Sequence, residues 1–188
     1  MDFRDMFESS PLPCYVFQNN RFVMFNKALE ILTGYTQEEL LTMNVFDLIH
    51  SEDRAYLEEN ARRRLKGEEV PPNYRFRAVD KTGNVKYLHG FFSIIKYNGR
   101  PAILGQLVNE TELVKTATER DFALRQIQDF VENTSDLIYL HELDDGTVIY
   151  INPAVANILG FTPEECRGKS IKQLVHPQWH EAFDQCVE

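Results

Sequence analysis

The chain has 188 residues, 43% of them hydrophobic, and a formal net charge of −9. This size allows one or two domains with a buried core, whereas the negative charge on both parts, about −2 on residues 1–112 and about −7 on residues 113–188, excludes an extended nucleic-acid-binding face. Because no apolar run approaches the roughly 20 residues of a bilayer-spanning helix, and the N-terminus lacks a signal peptide, we expect a cytoplasmic protein with no membrane insertion.

The first predicted element is a β-hairpin. Short apolar strands at 14–17 and 21–25 flank the turn Gln18-Asn19-Asn20. Asparagine tolerates left-handed backbone, which two-residue hairpin turns require. The single cysteine in this region, Cys14, belongs to an odd set of three with Cys166 and Cys186, without Cys-x-x-Cys spacing, so free thiols are expected.

Three helical segments follow the hairpin. Asn26 is predicted to cap a helix over residues 27–33, which Gly34 ends. Thr36 and Glu39 form a capping box that starts another helical turn, and Ser51 is predicted to cap a longer helix reaching Lys66.

The long helix carries the one basic cluster of the chain, Arg62-Arg63-Arg64-Lys66. Such a cluster can contact nucleic acid or an anionic lipid. Glutamates flank it on both sides, so the sequence favours a solvated helix face.

Three further strands are predicted at about 73–79, 85–97 and 102–108, separated by turn residues. Two strands, several helices and three strands indicate an α+β fold, a five-stranded antiparallel sheet with its helices on one face. The second of these strands is apolar on both of its faces around Phe91 and Phe92. We therefore expect the outer face of the sheet to pack on a helix, a second domain or a second subunit.

A stretch without proline or glycine then runs from Leu113 to Val131 and predicts a linker helix. Residues at alternating spacings of four and three form the seam of a two-stranded coiled coil, with Arg120 as its polar interruption; the apolar members are Leu113, Ala117, Leu124, Ile127 and Val131. The helix either lies on its own domain or pairs with its twin in a homodimer and transmits a change of register.

The final segment repeats the first. Residues 24–50 match residues 150–176 at a constant offset of 126, including Asn26 with Asn152 and His50 with His176. Self-similarity of this length indicates two copies of one unit. The second copy stops within its long helix, before the three strands that would complete its sheet, and we expect Glu188 to be a partial end, with this part held by a partner or poorly ordered in solution.

These residues resemble the PAS family of sensory domains. The resemblance is carried by Phe25-Asn26-Lys27-Ala28, by the segment from Leu32 to Leu40, by Ile49 to Asp53, by Tyr74 to Arg77 with Lys81-Thr82-Gly83, and by Asn109-Glu110-Thr111-Glu112. The last is similar to the Asp-Ile-Thr-Glu signature that ends such domains, with Asn109 and Glu110 departing from it. The resemblance predicts a complete PAS domain at 1–112, a linker at 113–132 and the front half of a second PAS domain at 133–188.

PAS domains typically bind a ligand between sheet and helices, which implies an apolar pocket here. Most aromatic residues of such a set are expected to serve as plain core. The candidate lining residues are Val16, Phe25, Asn26, Leu32, Phe46, Ile49, Tyr56, Leu57, Phe76, Leu88, Phe92, Leu104 and Gln106.

No cofactor is predicted. The flavin-binding branch of the family carries a reactive cysteine in an Asn-Cys-Arg-Phe-Leu type segment, where this chain reads Glu59 to Leu65 without cysteine. Haem is disfavoured by the scarcity of axial ligands, since His50 and His176 stand where they can hydrogen-bond a turn. His176, His180 and Cys186 are too few to predict a metal site.

The sequence supports three functional hypotheses. The resemblance implies a signal-input module of a larger regulator, a histidine kinase of a two-component system or a diguanylate cyclase, with the output enzyme outside this chain and no catalytic site within it. Alternatively, the domain is a ligand-free structural or dimerisation spacer. An isomerase-like enzyme would need a buried acid–base group, and only His89 could qualify, although strand parity points it outward.

Overall fold

The computed structural model describes residues 3–174 and 176–179. The chain forms two compact units, residues 1–117 and 118–188. The first contains α1 (Phe3–Glu8), β1 (Cys14–Gln18), β2 (Arg21–Phe25), α2 (Lys27–Thr33), α3 (Gln37–Thr42), a 3₁₀ helix (Val45–Leu48), α4 (Ser51–Leu65), β3 (Asn73–Val79), β4 (Val85–Tyr97) and β5 (Arg100–Asn109). Helix α5 (Thr111–Asn133) leads into the second, with β6 (Tyr139–His141), β7 (Val148–Ile151), α6 (Ala154–Leu159), α7 (Pro163–Cys166) and 3₁₀ turns at Ile171–Gln173 and Pro177–Trp179.

The sheet of the first unit has five antiparallel strands in the order β2-β1-β5-β4-β3. The last strand of the unit therefore inserts at the centre, between the first hairpin and β4. The helices between β2 and β3 contribute to one core on a single face of this sheet. This architecture confirms the α+β fold predicted from the order of elements.

Left-handed residues close the hairpins. Asn19 and Asn20 have φ values of 50° and 61°, and Asn98 with Gly99 has values of 48° and 74°. These are the backbone conformations of primed two-residue turns, whose twist matches that of the flanking strands. The predicted hairpin at 18–20 is thus confirmed.

The inner face of the sheet is packed with aromatic rings. Two glycines of this face leave room for them: a Cβ atom on Gly105 would lie 2.5 Å from Cζ of Tyr15, and one on Gly90 would lie 2.4 Å from Cζ of Phe92. Any larger residue would displace these rings, because such separations are far below van der Waals contact.

The outer face of the sheet is only partly covered. Val16 and Ala102 are buried there, whereas Phe91 is 40% exposed. The expectation that this face packs on a helix, domain or subunit stays a prediction for the exposed part around Phe91.

The predicted cap of α4 is wrong. Ser51 is the first residue of α4, and the cap is His50, whose Nδ1 atom accepts a hydrogen bond from the Glu52 amide at 3.4 Å. His176 does the same for the Gln178 amide, also at 3.4 Å. Both histidines therefore hydrogen-bond a turn, as the sequence suggested.

The second unit repeats the local structure of the first. Gly34 and Gly160 end the first helix of each copy with φ values of 74° and 78°. The Thr36–Glu39 capping box recurs as Thr162 and Glu165. Because the glycine that ends the helix and the capping box both recur at one offset, the repeat is present in the structure as well as in the sequence. Val175, His180 and Cys186 lie outside the described residues, so the proposed continuation through Val175 and the weak His176–His180–Cys186 metal site are not described.

Asn26 and Asn152 occupy equivalent, fully buried positions. In each, Oδ1 accepts a backbone amide of the preceding strand region, Cys14 or Ile138, at 3.0 Å. Asn26 also accepts from the Leu29 amide at 3.3 Å, which confirms its predicted cap. The repeat predicts the same cap for Asn152, and this prediction is wrong: Asn152 makes no side-chain cap, and its Nδ2 atom donates to the carbonyls of Val131 and Asp136.

Among the described residues, no helix combines the length and the apolar character needed to cross a bilayer.

Candidate functional site

Two small cavities lie between the helices and the sheet of the first unit. Their volumes are about 30 and 20 Å³, which is room for one or two water molecules each. Tyr15, Val45 and Ile49 line both, so the cavities share a wall. Neither cavity has room for a ligand much larger than these water molecules without movement of its walls.

The structure brings several predicted residues to these cavities. The larger cavity is lined by Leu32, Ile49, Phe76 and Leu88, and the smaller by Phe46, Ile49, Leu57 and Phe92. The sequence therefore located the inner face of β3 and β4 and the packed side of α4.

Three predicted lining residues lie on the other face of the sheet. Register pairs Val16 with Leu104 and Cys14 with Gln106, so these side chains share a face. The core instead takes Ile103 and Leu107 from β5. The placement of Val16, Leu104 and Gln106 in the pocket is wrong because strand parity in β1 and β5 was assigned one residue out of phase.

Three more candidates are near the core without lining a cavity. Phe25 packs edge-on against Phe22, with ring centroids 5.9 Å apart. Tyr56 is 52% exposed and meets the Tyr74 ring at 5.5 Å. Asn26 is fully occupied by backbone hydrogen bonds, so its amide is unavailable to a ligand.

Sequence reasoning missed the polar residue of the smaller cavity. Arg64 was assigned to a solvated basic face, but only 7% of it is exposed. Its guanidinium lies over the rings of Phe92 and Tyr74, 5.4 and 6.0 Å from their centroids, and donates to the Pro71 carbonyl. The signal was available in the spacing of Leu57, Ala61 and Arg64, which share one helix face.

The rest of the basic cluster is solvated as predicted. Arg62 pairs with Glu59 at 2.5 Å, and Arg63 pairs with Glu68 at 2.8 Å. Both arginine side chains are at least 40% exposed. Pairs of this kind contribute little stability, since water screens them.

The beginning of α5 is hydrogen-bonded to the sheet. We call the four residues involved, Arg75, Tyr87, Glu110 and Thr111, the polar junction. Arg75 of β3 donates to both carboxylate oxygens of Glu110, at 2.7 and 3.2 Å. The Tyr87 amide of β4 donates to the hydroxyl of Thr111 at 3.0 Å, and the Glu110 amide donates to the Tyr87 carbonyl at 2.9 Å. β3 and β4 are therefore hydrogen-bonded directly to the start of α5.

The two departures from the family signature have structural roles at this junction. Asn109 accepts the Thr111 amide at 3.0 Å and so begins the helix as an aspartate would. Glu110 supplies the carboxylate that pairs with Arg75, one position after the aspartate of the family signature. Sequence comparison noted both residues but gave no reason for them.

Electrostatic pairing lowers the pKa of two carboxyl groups here. Hydrogen bonds from Arg75 hold the pKa of Glu110 below its ordinary value. At the start of α4, hydrogen bonds from Arg77 lower the pKa of Asp53 against the opposing effect of burial. Both groups are therefore ionised at neutral pH and hold their arginines in place.

The cavity walls contain none of the usual axial haem ligands: no histidine, cysteine or methionine is among the lining residues. Cys14 is buried on β1, and His89 lies on the outer face beside Asn73 and Glu110, at 3.1 and 3.6 Å. In the described part of the chain, no three His, Cys, Asp or Glu side chains are grouped to hold a metal ion.

A five-stranded antiparallel sheet with helices on one face, a small apolar cavity between them and a helix fastened to the sheet edge define a PAS-like α+β domain. Comparison with known families agrees. The PAS fold family model matches residues 22–106, and a PAS domain model matches residues 135–188. The chain belongs to the PAS domain family, with a second, shorter PAS region after the first. PAS domains are sensory modules of signalling proteins and are not themselves catalytic.

Solved PAS domains are similar to this chain. One from Colwellia psychrerythraea is 17% identical, with 58% of this chain and 94% of that chain covered and a TM-score of 0.50. One from Desulfitobacterium hafniense is 16% identical, covering 56% and 98%, with a TM-score of 0.48. A PAS domain from a two-component sensor histidine kinase is 19% identical, covering 56% and 90%, with a TM-score of 0.46. No curated protein matches the chain.

Proposed function

We propose that this chain is the cytoplasmic signal-input segment of a regulator whose output domain, a histidine kinase or a diguanylate cyclase, is covalently linked to it. The regulator type follows from the family resemblance, because fold alone does not define function. In this proposal, residues 1–112 sense a small molecule or a partner contact, residues 113–132 relay the state, and residues 133–188 begin a second sensor.

The observation that carries the proposal is the junction at the start of α5. Two strands that wall the cavities, β3 and β4, hold Glu110 and Thr111 through the bonds described above. Thr111 is only 4% exposed, so the connection is packed as well as hydrogen-bonded. A ligand that separates the cavity walls would change the position of α5 through these contacts.

The relay is proposed to end in a homodimer. Along α5, an apolar seam is exposed in the part of the chain that the structure describes: Leu113, Leu124 and Ile127 are each more than half exposed. Ala117 is exposed and Val131 is half-buried, and both continue the seam. A second copy of the helix is the occupant that heptad spacing favours.

Sedimentation equilibrium of the whole chain tests the dimer. We expect the wild type to dimerise at about 100 µM and Leu124→Glu to be monomeric, because a charge in the seam has no partner. Phe122→Glu is the matched control: Phe122 is 61% exposed but lies about half a turn away from the seam. A monomeric wild type, or equal dissociation of both variants, would contradict the dimer.

A packed spacer domain is the second candidate, and the small cavity volumes favour it. Native mass spectrometry and an absorbance spectrum of gently purified protein separate the two. A retained small molecule or a visible band supports a ligand sensor. A protein of bare polypeptide mass that binds nothing supports the spacer.

A further inference from the structure

A positive charge is buried beside the smaller cavity without a negative partner. Arg62 and Arg63, the two residues before it, pair with glutamates. Arg64 is 7% exposed and has no carboxylate at salt-bridge distance within residues 3–174 and 176–179. A buried ion normally needs a counter-ion, because removing it from water costs several kcal/mol.

A second polar group on the same helix face lacks a hydrogen-bond partner. Asn60 precedes Arg64 by four residues, so the two side chains are neighbours on α4. Asn60 is 4% exposed, and its Nδ2 atom is buried without a hydrogen-bond acceptor. Such orphaned donors are rare in folded proteins and call for a specific explanation. Asn60 has a donor without an acceptor, and Arg64 donates to the Pro71 carbonyl but has further N–H groups and no carboxylate partner in the described residues. The oxygen atoms of a carboxylate accept hydrogen bonds from both kinds of group.

The surroundings suit a ligand with an apolar body. Around Arg64 the cavity is lined by aromatic and aliphatic side chains, among them Phe46, Leu57 and Phe92. Beyond the shared wall of Tyr15, Val45 and Ile49, the larger cavity is walled mainly by leucine and phenylalanine side chains, with Thr33, Asp80 and Lys86 also among its lining residues. Movement of that wall would join the two spaces into one mainly apolar cavity with Arg64 at one end.

We propose that the first unit senses an organic monocarboxylate whose carboxylate is held by Arg64 and Asn60 and whose apolar body lies between α4 and the sheet. This rests on the proposed sensory function and specifies the class of ligand. Binding would supply the missing counter-charge and push the cavity walls apart, and the second change is the one that a relay through β3 and β4 requires.

Calorimetric titration of the whole chain with hexanoate tests the ligand class, and hexanamide is the uncharged probe of similar shape. We expect hexanoate to bind at least about tenfold more tightly than hexanamide, because only the carboxylate can pair with Arg64. Arg64→Gln should remove this preference. Arg63→Gln, which changes the exposed neighbour, should keep it. Equal binding of the two probes, binding of neither up to about 10 mM, or an unchanged preference in Arg64→Gln would overturn the proposal.

Asn60→Asp gives a test that does not depend on Arg64→Gln folding correctly. The new carboxylate stands one turn from Arg64 and should act as an internal counter-ion. We expect the melting temperature to rise by about 2 °C or more and hexanoate binding to be lost. A fall in melting temperature would show that Arg64 needs no counter-ion and would overturn the proposal. If mass spectrometry instead finds a retained uncharged molecule, the sensory function stands and the carboxylate class fails.

Discussion

At the scale of a single residue, the side chain of Asn26 forms hydrogen bonds to three segments at the start of the fold. Its side chain bonds the Cys14 amide, the Leu29 amide and the carbonyls of Phe7, Ser10 and Leu12. One buried amide therefore satisfies backbone groups of the N-terminal segment, β1 and α2, which explains why this position recurs as Asn152 in the second unit.

Asn26→Ala should destabilise the first unit by about 2–4 kcal/mol, because several buried backbone groups lose their partners at once. Amide hydrogen exchange at Cys14, measured in the whole chain, reports the loss locally. Asn133→Ala is the control, since Asn133 is exposed and donates to one carbonyl. Unchanged protection of the Cys14 amide in Asn26→Ala would refute this role.

The glycine of β5 is required for packing. Gly105→Ala would place a methyl group 2.5 Å from Cζ of Tyr15, so we expect a loss of about 1–3 kcal/mol in urea unfolding. A Tyr15→Leu background tests the cause, because removing the ring removes the clash. If Gly105→Ala costs as much in that background as in the wild type, overpacking against Tyr15 is not the reason.

At the scale of elements, the coupling between sheet and α5 depends on Thr111. Thr111→Val keeps the shape of the side chain but leaves the Tyr87 amide without its acceptor, at an expected cost of about 1–3 kcal/mol. Faster hydrogen exchange at Tyr87 and in the first turn of α5 is the expected observation. Thr116→Val, on an exposed part of the same helix, should have little effect; similar effects of both variants would argue against a specific junction.

The long helix α4 shows how an element divides its residues between solvent and core. Arg62 and Arg63 pair with glutamates at the surface, while Arg64 enters the core. Three consecutive arginines point in three directions because each residue advances the helix by about 100°. A charged cluster in sequence is thus not a charged patch in space.

At the scale of the whole molecule, acidic pH should weaken the first unit. Partners in the folded state lower the pKa of several of its carboxyl groups: Glu39, Asp53, Glu59, Asp80 and Glu110. A lowered folded-state pKa means that the unfolded chain binds protons first. The stabilisation is therefore complete above the ordinary pKa of about 4 and is lost as the pH falls below it.

We expect the urea midpoint to be nearly constant from about pH 7 to 5 and to fall below about pH 4.5. Asp80→Asn should start less stable and lose less on acidification, because Asp80 accepts bonds from Thr82, Asn84 and Lys86 that hold its pKa low. A midpoint that rises on acidification would reverse the sign and refute the assignment.

The sequence by itself determined the repeat, the fold class and most of the elements, though not α1 or the 3₁₀ helix at Val45–Leu48. Turn residues, caps and alternation are local signals, and the β3 and β4 bounds and the capping boxes follow from neighbouring residues alone. The constant offset between Asn26 and Asn152 showed the duplication without knowledge of any contact.

Only the tertiary structure decided which side chains face the cavities. The prediction for Val16, Leu104 and Gln106 is wrong because both faces of β1 and β5 carry apolar residues. Without alternation of apolar and polar residues, a strand sequence does not indicate which side chains face the core. Arg64 was misplaced because its environment is made by Tyr74 and Phe92, strand residues distant in sequence. Burial of a charge depends on contacts that only the assembled sheet and helix create.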